Sequence, residues 1–258
     1  MKDEKELNKS LKLLAKSSLV VLLGIILSKV FSYAYRIIIA RYYGPEVYGL
    51  FTLSLVIMGF LSALFTFGLI QAITRFIPIY RGKNEKDKIK FIFKSILNIL
   101  IISSIFSGII LFIFSEYLAI EIFHNPELII FLKIFSFLLP FSIVGVLFLE
   151  IIRAFEKIGW FSFIFNILQN AVKLIAIIIF IFLGFKINSV IFSYFLGIFT
   201  IFLVSWLVVK KQIPDVWGKY KIKNKKQIRQ EIWRYSWPLV FWEVIIVALY
   251  WIASLFIG

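Results

Sequence analysis

The sequence contains no cysteine and a single histidine, His124, among 258 residues. Without cysteine, the chain can form no disulfide bond, no thiol nucleophile and no cysteine-ligated metal site. One histidine also excludes the metal sites that need two, including the zinc-protease motif. The glycine-rich phosphate-binding motifs and the GxSxG motif of serine hydrolases are missing as well. These residue types give no indication of an enzyme, a cofactor or a metal site.

Charged residues are also scarce, and apolar residues dominate the composition. The chain is 17% charged and 61% hydrophobic, with a mean hydropathy of +0.96. Soluble proteins contain about 45–50% apolar residues, so this apolar surface exceeds what one soluble core can bury. A helix that crosses a bilayer needs about 20 mainly apolar residues. The composition therefore predicts an all-α, polytopic membrane helix bundle with about seven transmembrane helices.

Apolar stretches mark the predicted spans, and four of them contain one or two charged residues. The spans are Ser17–Ala40, Val47–Thr74, Ser95–Ser115, Leu128–Ile152, Trp160–Phe182, Ile187–Val209 and Tyr235–Ile257. We divide the chain into a cytoplasmic amphipathic N-terminus (1–16), a six-helix lobe (17–209), a basic cytoplasmic linker (210–234) and a further helix (235–258). We expect the linker to lie on the lipid headgroups, because it alternates basic with aromatic and apolar residues.

Lysine and arginine are distributed unevenly around these spans. Most of the 29 basic residues precede span one or separate spans two and three, four and five, and six and seven. Basic segments stay on the cytoplasmic side, which predicts a multi-pass protein of the cell membrane with a cytoplasmic N-terminus. Membrane topology and anionic lipids explain the net charge of +15, so we expect no nucleic-acid partner.

Two spans each carry a row of polar residues at the spacing i, i+3, i+4, i+7, which places them on one helical face. The first polar stripe consists of Lys29, Ser32, Tyr33 and Arg36. The second polar stripe consists of Asn166, Gln169, Asn170 and Lys173. A charge at the centre of a membrane helix costs about 2.5–3.5 kcal/mol, so we interpret both stripes as lining a water-accessible cavity that attracts an anion. The alternative is polar packing between helices, with Glu243 neutralising one lysine.

The segment between spans one and two reads ARYYGPEVYGLF, from Ala40 to Phe51. It resembles the A-R-x-L-G-P-E-x-Y-G-L pattern of polysaccharide and O-antigen flippases in the multidrug/oligosaccharidyl-lipid/polysaccharide superfamily, with Tyr43 in place of the usual leucine. The matching residues are Arg41, Gly44, Pro45, Glu46, Tyr48 and Gly49. We interpret Gly44 and Pro45 as a tight turn and Gly49 as a site of close helix approach.

Two further segments agree with the same family. Gly68 and Arg75 match its G-x-x-x-A-x-x-R pattern at the end of span two, and Pro238 lies in a YSWP segment similar to its entry into span seven. The resemblance implies an inverted-V transporter with two six-helix lobes around a central, often cationic cavity. Since family members have twelve to fourteen spans, the chain resembles the N-terminal lobe plus the first helix of a truncated second lobe.

The resemblance implies a transporter that moves a polyprenyl-(pyro)phosphate-linked saccharide across the cytoplasmic membrane, as a whole or as a half transporter. Its anionic group would contact Lys29, Arg36 and Lys173, and its sugars would contact Tyr33, Asn166, Gln169 and Asn170. The expected partners are membrane lipids, the lipid-linked saccharide, and a second half-transporter or a second copy. Two alternatives are a non-transporting membrane subunit related to a flippase and a multidrug-type exporter. The absence of a carboxylate in span one counts against the exporter.

Overall fold

The computed structural model describes the backbone of residues 21–257 and the side chains of residues 21–249. Residues 1–16, for which we expect an amphipathic N-terminus, lie outside the described residues. Every regular element within the described range is helical, as the sequence predicts.

The helices follow one another with short connections. They are α1 (21–38), α2 (Gly44–Phe65), α3 (Leu69–Gly82), α4 (Lys86–Tyr117), α5 (Leu128–Ala154), α6 (Ile158–Ser162), α7 (Gln169–Phe182), α8 (Asn188–Gln212) and α9 (Lys225–Ile257). Turns of π-helix continue α1 (Ile39–Tyr43), continue α4 (Leu118–Ile122) and join α6 to α7 (Phe163–Leu168). A 3-10 turn, Pro214–Trp217, follows α8.

Among the residues that the structure describes, six helical segments are long and apolar enough to cross a membrane, and the first of them, Val21–Phe65, folds back on itself. The aromatic rings of Tyr35 and Phe51 lie 6.0 Å apart, whereas a straight helix would separate residues sixteen apart by about 24 Å. The reversal occurs at Gly44, whose φ of +89° favours glycine. The predicted turn is therefore observed. A side chain at Gly49 would meet no atom within 4 Å, so the expected close helix approach there is wrong.

The predicted second span, Val47–Thr74, is not one continuous helix. Helix α2 ends at Phe65, and Phe67 and Gly68 have φ values of +51° and +64° before α3 begins. The Ser103 hydroxyl of α4 donates a hydrogen bond to the Phe65 carbonyl oxygen at 2.9 Å, which satisfies a backbone group that the break leaves open. A Cβ at Gly68 would overlap the carbonyl oxygen of Ser236, so glycine permits α9 to pack against the break.

Helix α5 forms the centre of the bundle, where it packs against α4 on one side and α8 on the other. Small residues mark both crossings. A Cβ at Gly108 would reach the Ser136 carbonyl oxygen at 2.7 Å, and one at Gly145 would reach the Phe202 backbone at 3.2 Å. Such close backbone approaches are typical of membrane helices, in which packing rather than hydrophobic burial drives association. The cavity described below lies beside this packed centre.

The linker lies against the bundle. Helix α8 extends to Gln212, α9 begins at Lys225, and Val216 between them is only 1% exposed. The Trp217 ring packs edge-on against Phe93 of α4, with 5.0 Å between ring centres. The expectation that the apolar linker residues lie on lipid headgroups is therefore wrong for these two residues. Because the linker is packed on α4, it fixes where α9 begins.

Candidate functional site: a cavity with two polar groups

A cavity of about 620 Å³ lies among α1, α2, α3, α5, α7, α8 and α9. Its volume falls within the range of about 300–1,000 Å³ that is typical of ligand sites. Apolar side chains such as Phe51, Met58 and Ile143 form much of the wall. Among the described residues, the charged side chains of this wall are Arg36 and Lys173, which we call the cationic pair, and Glu243.

Lys173 of α7 is held in the wall by neutral contacts. Its ammonium group donates a hydrogen bond to the Asn170 carboxamide oxygen at 3.4 Å and lies 4.9 Å from the centre of the Tyr194 ring. Its aliphatic chain crosses α8 at Gly197, where a Cβ would overlap the lysine carbons. Within residues 21–249, Lys173 forms no ion pair with a carboxylate. Its positive charge can therefore act on a ligand.

Hydrogen bonds to α7 and α8 position α1, which carries Arg36. The Ser32 hydroxyl donates to the Asn170 carboxamide oxygen at 3.2 Å, and the Asn170 amide donates to the Ser28 hydroxyl at 3.0 Å. The Tyr35 hydroxyl donates to the Val190 carbonyl oxygen at 3.0 Å. These bonds fix the rotation of α1 that brings Arg36 into the wall. Arg36 also forms no ion pair with a carboxylate in the described part of the chain.

Four other predicted contact residues lie outside the cavity wall. Lys29 and Tyr33 are exposed, Tyr33 to 71%. Asn166 and Gln169 are buried, but their amides donate to the Ser162 hydroxyl (3.1 Å) and the Phe165 carbonyl oxygen (2.5 Å) within the same helical segment. The two stripes therefore face the cavity only in part, because four of their members lie in its wall: Ser32, Arg36, Asn170 and Lys173. A role in substrate binding stays a prediction for every member of both stripes.

Glu243 of α9 lies at the break between α2 and α3. Its carboxylate accepts a hydrogen bond from the Thr66 hydroxyl at 2.8 Å and another from the Gln71 amide. Both partners are neutral, so these contacts do not support the alternative in which Glu243 neutralises a lysine. Thr66 and Gln71 were not among the predicted site residues. The available signal was two polar residues on either side of Gly68 within an uncharged span.

The family-motif residues lie apart from the cavity wall. They are Arg41, Gly44, Pro45, Glu46, Tyr48, Gly49, Gly68, Arg75 and Pro238. The guanidinium of Arg75 stacks over the Tyr235 ring at 4.3 Å, and this contact links α3 to α9. Pro238 lies inside α9. Gly44 and Gly68 act through backbone conformation, which agrees with the interpretation of these two glycines as structural.

The cationic pair can bind an anion. A guanidinium offers several directed N–H donors and an ammonium offers three, and both pair well with phosphate oxygens. Such charge-assisted bonds are stronger than neutral ones, and the apolar wall reduces their screening by water. The apolar side chains would contact the non-polar part of an amphipathic ligand.

Residues 14–258 match the family model described as "Polysaccharide biosynthesis protein". Over 125 residues the chain is 30% identical to a Shigella flexneri protein described as "Putative O-antigen transporter", and this alignment covers 47% of the chain and 29% of that protein. The chain therefore spans less than a third of this relative's length. No solved structure matches the chain. The family match covers almost every residue and confirms the resemblance that the motifs indicate. The chain belongs to the polysaccharide biosynthesis protein family, and it is a multi-pass membrane protein.

Proposed function

We propose that the protein is, or forms part of, a transporter that moves an anionic lipid-linked saccharide across the cell membrane. The observation that carries this proposal is the cationic pair, Arg36 and Lys173, in the wall of a largely apolar cavity within a membrane bundle. Membership of the polysaccharide biosynthesis family and the description of the relative as an O-antigen transporter support transport over catalysis.

The energetics of the cationic pair favour an anionic ligand. A positive charge deep in a membrane helix costs about 2.5–3.5 kcal/mol unless water, a counter-ion or a ligand stabilises it. Within residues 21–249, neither Arg36 nor Lys173 forms an ion pair with a carboxylate. A phosphate or pyrophosphate group would stabilise both charges, while the apolar wall would accommodate part of a polyprenyl chain. A neutral glycolipid would stabilise neither charge.

We further propose that α1 faces a second helical bundle. Lys29 and Tyr33 lie on an exposed surface of α1 in a segment apolar enough to cross the membrane. A lysine is unfavourable against lipid tails, so a protein partner or a water-filled passage is the better neighbour. A further segment, a second half-transporter or a second copy could supply this second bundle.

The excess of basic residues in alternate loops supports a cytoplasmic N-terminus.

The test is carrier binding and translocation in reconstituted membranes. We expect Lys173→Ala and Arg36→Ala each to weaken binding of a polyprenyl pyrophosphate by about 10–100-fold, because a hydrogen bond to a charged group contributes about 1.5–3 kcal/mol. Translocation of a fluorescent lipid-linked oligosaccharide should fall in parallel.

Lys133→Ala is the matched control for these variants. Lys133 also lies within a predicted span, but it pairs with Glu116 at 2.7 Å and is not in the cavity wall. Its substitution should leave carrier affinity unchanged. If both cationic-pair variants bind and translocate the carrier like the wild type, the proposed mechanism is wrong.

One observation favours the second candidate, an exporter of organic cations. Glu243 places a carboxylate in the cavity wall, and the sequence analysis found no such group in span one. Arg36 and Lys173 in the same wall oppose a cation by charge repulsion. Ethidium binding that depends on Glu243 would favour the exporter, and the absence of ethidium binding would leave the anionic carrier as the substrate.

A further inference from the structure

We propose that Gln71, Trp242 and Glu243 form a second subsite in the cavity, which binds hydroxyl or amino groups of a saccharide. This inference rests on the proposed function and adds to it, because the cationic pair accounts only for the anionic group of the ligand. The three residues lie on α3 and α9, whereas the cationic pair lies on α1 and α7. All five line the same cavity.

The carboxylate of Glu243 retains acceptor capacity for a ligand. An ionised carboxylate offers about four acceptor positions, and the Thr66 hydroxyl and the Gln71 amide use two of them. Within residues 21–249 no lysine or arginine pairs with Glu243. A carboxylate with two neutral partners in a membrane segment is stabilised further by any group that donates hydrogen bonds.

Gln71 positions the Glu243 carboxylate. A carboxylate can only accept, so the Gln71 amide nitrogen must point toward Glu243 and its carboxamide oxygen must point elsewhere. That oxygen is buried and has no donor among the described residues. A buried acceptor without a donor is unfavourable, but its burial keeps this oxygen out of reach of a ligand in the cavity, so Gln71 acts by holding Glu243. A ligand that suits the remaining acceptor positions of Glu243 carries donors, which identifies hydroxyl or amino groups.

Trp242 supplies the apolar surface that a sugar ring needs. Trp242 directly precedes Glu243 on α9, and its indole lines the cavity and is 59% exposed. An indole combines a large apolar face with one N–H donor. A sugar ring likewise has an apolar face of C–H groups and an edge of hydroxyl groups. Trp242 can contact the face while Glu243 accepts from the edge.

A structural alternative makes a different prediction. Thr66 and Gln71 lie on the two sides of the α2–α3 break, so the hydrogen bonds of Glu243 also link α9 to that break. If this link were its only role, removing the carboxylate would weaken the binding of every ligand of the cavity equally. A saccharide subsite instead discriminates between carriers with and without sugar.

The experiment measures the affinity of the full chain in lipid nanodiscs for two probes. One is a polyprenyl pyrophosphate that carries a trisaccharide of neutral hexoses, and the other is the same polyprenyl pyrophosphate without sugar. We expect Glu243→Gln and Trp242→Ala each to weaken binding of the sugar-bearing probe by about tenfold and to leave the sugar-free probe unchanged. Trp242→Ala removes no bond to Thr66 or Gln71, so it tests the subsite even if Glu243→Gln perturbs the fold.

Both variants have matched controls. Trp237 lies on the same helix, is 58% exposed and is outside the cavity wall, so Trp237→Ala should affect neither probe. Glu150 pairs with Arg153 at 3.4 Å and is also outside the wall, so Glu150→Gln should affect neither probe. These controls separate the subsite from a general effect of losing an indole or a carboxylate.

The remaining outcomes separate the two proposals. Equal weakening of both probes in the Glu243 and Trp242 variants, or no weakening in either variant, would overturn the subsite and leave the cationic pair intact. Failure of the wild type to bind either probe would overturn the proposed function together with the subsite. Weakening of only the sugar-free probe would contradict the assignment of donors to the saccharide.

Discussion

Helix α1 and the helical segment that leads into α7 carry the same spacing of polar residues, yet the folded protein uses the two stripes differently. The second stripe is turned inward, with Asn170 and Lys173 of α7 in the cavity wall and the other two members buried in packing. The first stripe is divided, because Arg36 lines the cavity and Lys29 does not, although both side chains are exposed. Helical spacing therefore identifies a shared face, but it does not identify what that face contacts.

The neighbours of each helix explain the difference. Helix α7 packs along α8 and follows a π-helical stretch, Phe163–Leu168, which changes the direction in which later side chains point. Hydrogen bonds to Asn170 and Val190 set the rotation of helix α1 about its own axis. Two helical turns separate Lys29 from Arg36, or about 10 Å along the axis, so the two residues lie at different depths.

Among variants outside the cationic pair, the largest effect is expected where α8 positions Lys173. A Cβ at Gly197 would overlap the Lys173 side chain, so Gly197→Val should displace the ammonium group and weaken binding of sugar-free polyprenyl pyrophosphate by about tenfold. At Gly49 a side chain would meet no atom within 4 Å, so Gly49→Val should preserve the affinity. Equal affinities for the two variants would show that the position of Lys173 does not matter for binding.

A smaller effect is expected from the bonds between the stripes. Asn170→Leu removes hydrogen bonds to Ser28 and Ser32 on α1, and we expect it to lower the free energy of unfolding by about 1 kcal/mol. Asn166→Leu should have a smaller effect, because its side-chain amide bonds to Ser162 on its own helical segment. Denaturant unfolding in detergent measures both. A larger loss for Asn166→Leu would contradict this account of how α1 is held.

The smallest effect is expected at the exposed end of the first stripe. Lys29→Ala should change binding of sugar-free polyprenyl pyrophosphate by less than about twofold, because Lys29 is exposed and outside the cavity wall. The measurement is a nanodisc affinity alongside Lys173→Ala. A loss as large as that of Lys173→Ala would place Lys29 in the anion site, as the spacing of the first stripe predicts.

Much of the fold follows from local properties of the sequence. A run of apolar residues long enough to span a bilayer must form a helix, because lipid offers no partner for backbone groups. The turn at Gly44 was also predictable, since only glycine adopts its positive φ readily. The break at residues 66–68 was not predicted, because Val47–Thr74 has no charge that interrupts it, and the space that Gly68 leaves for α9 is visible only in the folded protein.

The candidate site was predicted only in part, for a related reason. Arg36, Asn170 and Lys173 stood out because polar residues are costly in an apolar span, and the structure brings these three into one wall. The expectation for the apolar linker residues failed because periodicity does not distinguish burial against lipid from burial against protein. Val216 and Trp217 satisfy either environment, and the fold places them on the bundle.

By itself the sequence determined the helical class, the membrane-length segments and the family, since composition and short motifs are properties of neighbouring residues. Only the tertiary structure decided which polar groups share a cavity. Glu243 meets Gln71 from 172 positions away, and Tyr35 meets Val190 from 155. Such contacts depend on how distant helices rotate and pack against each other, and no local pattern in the chain encodes that choice.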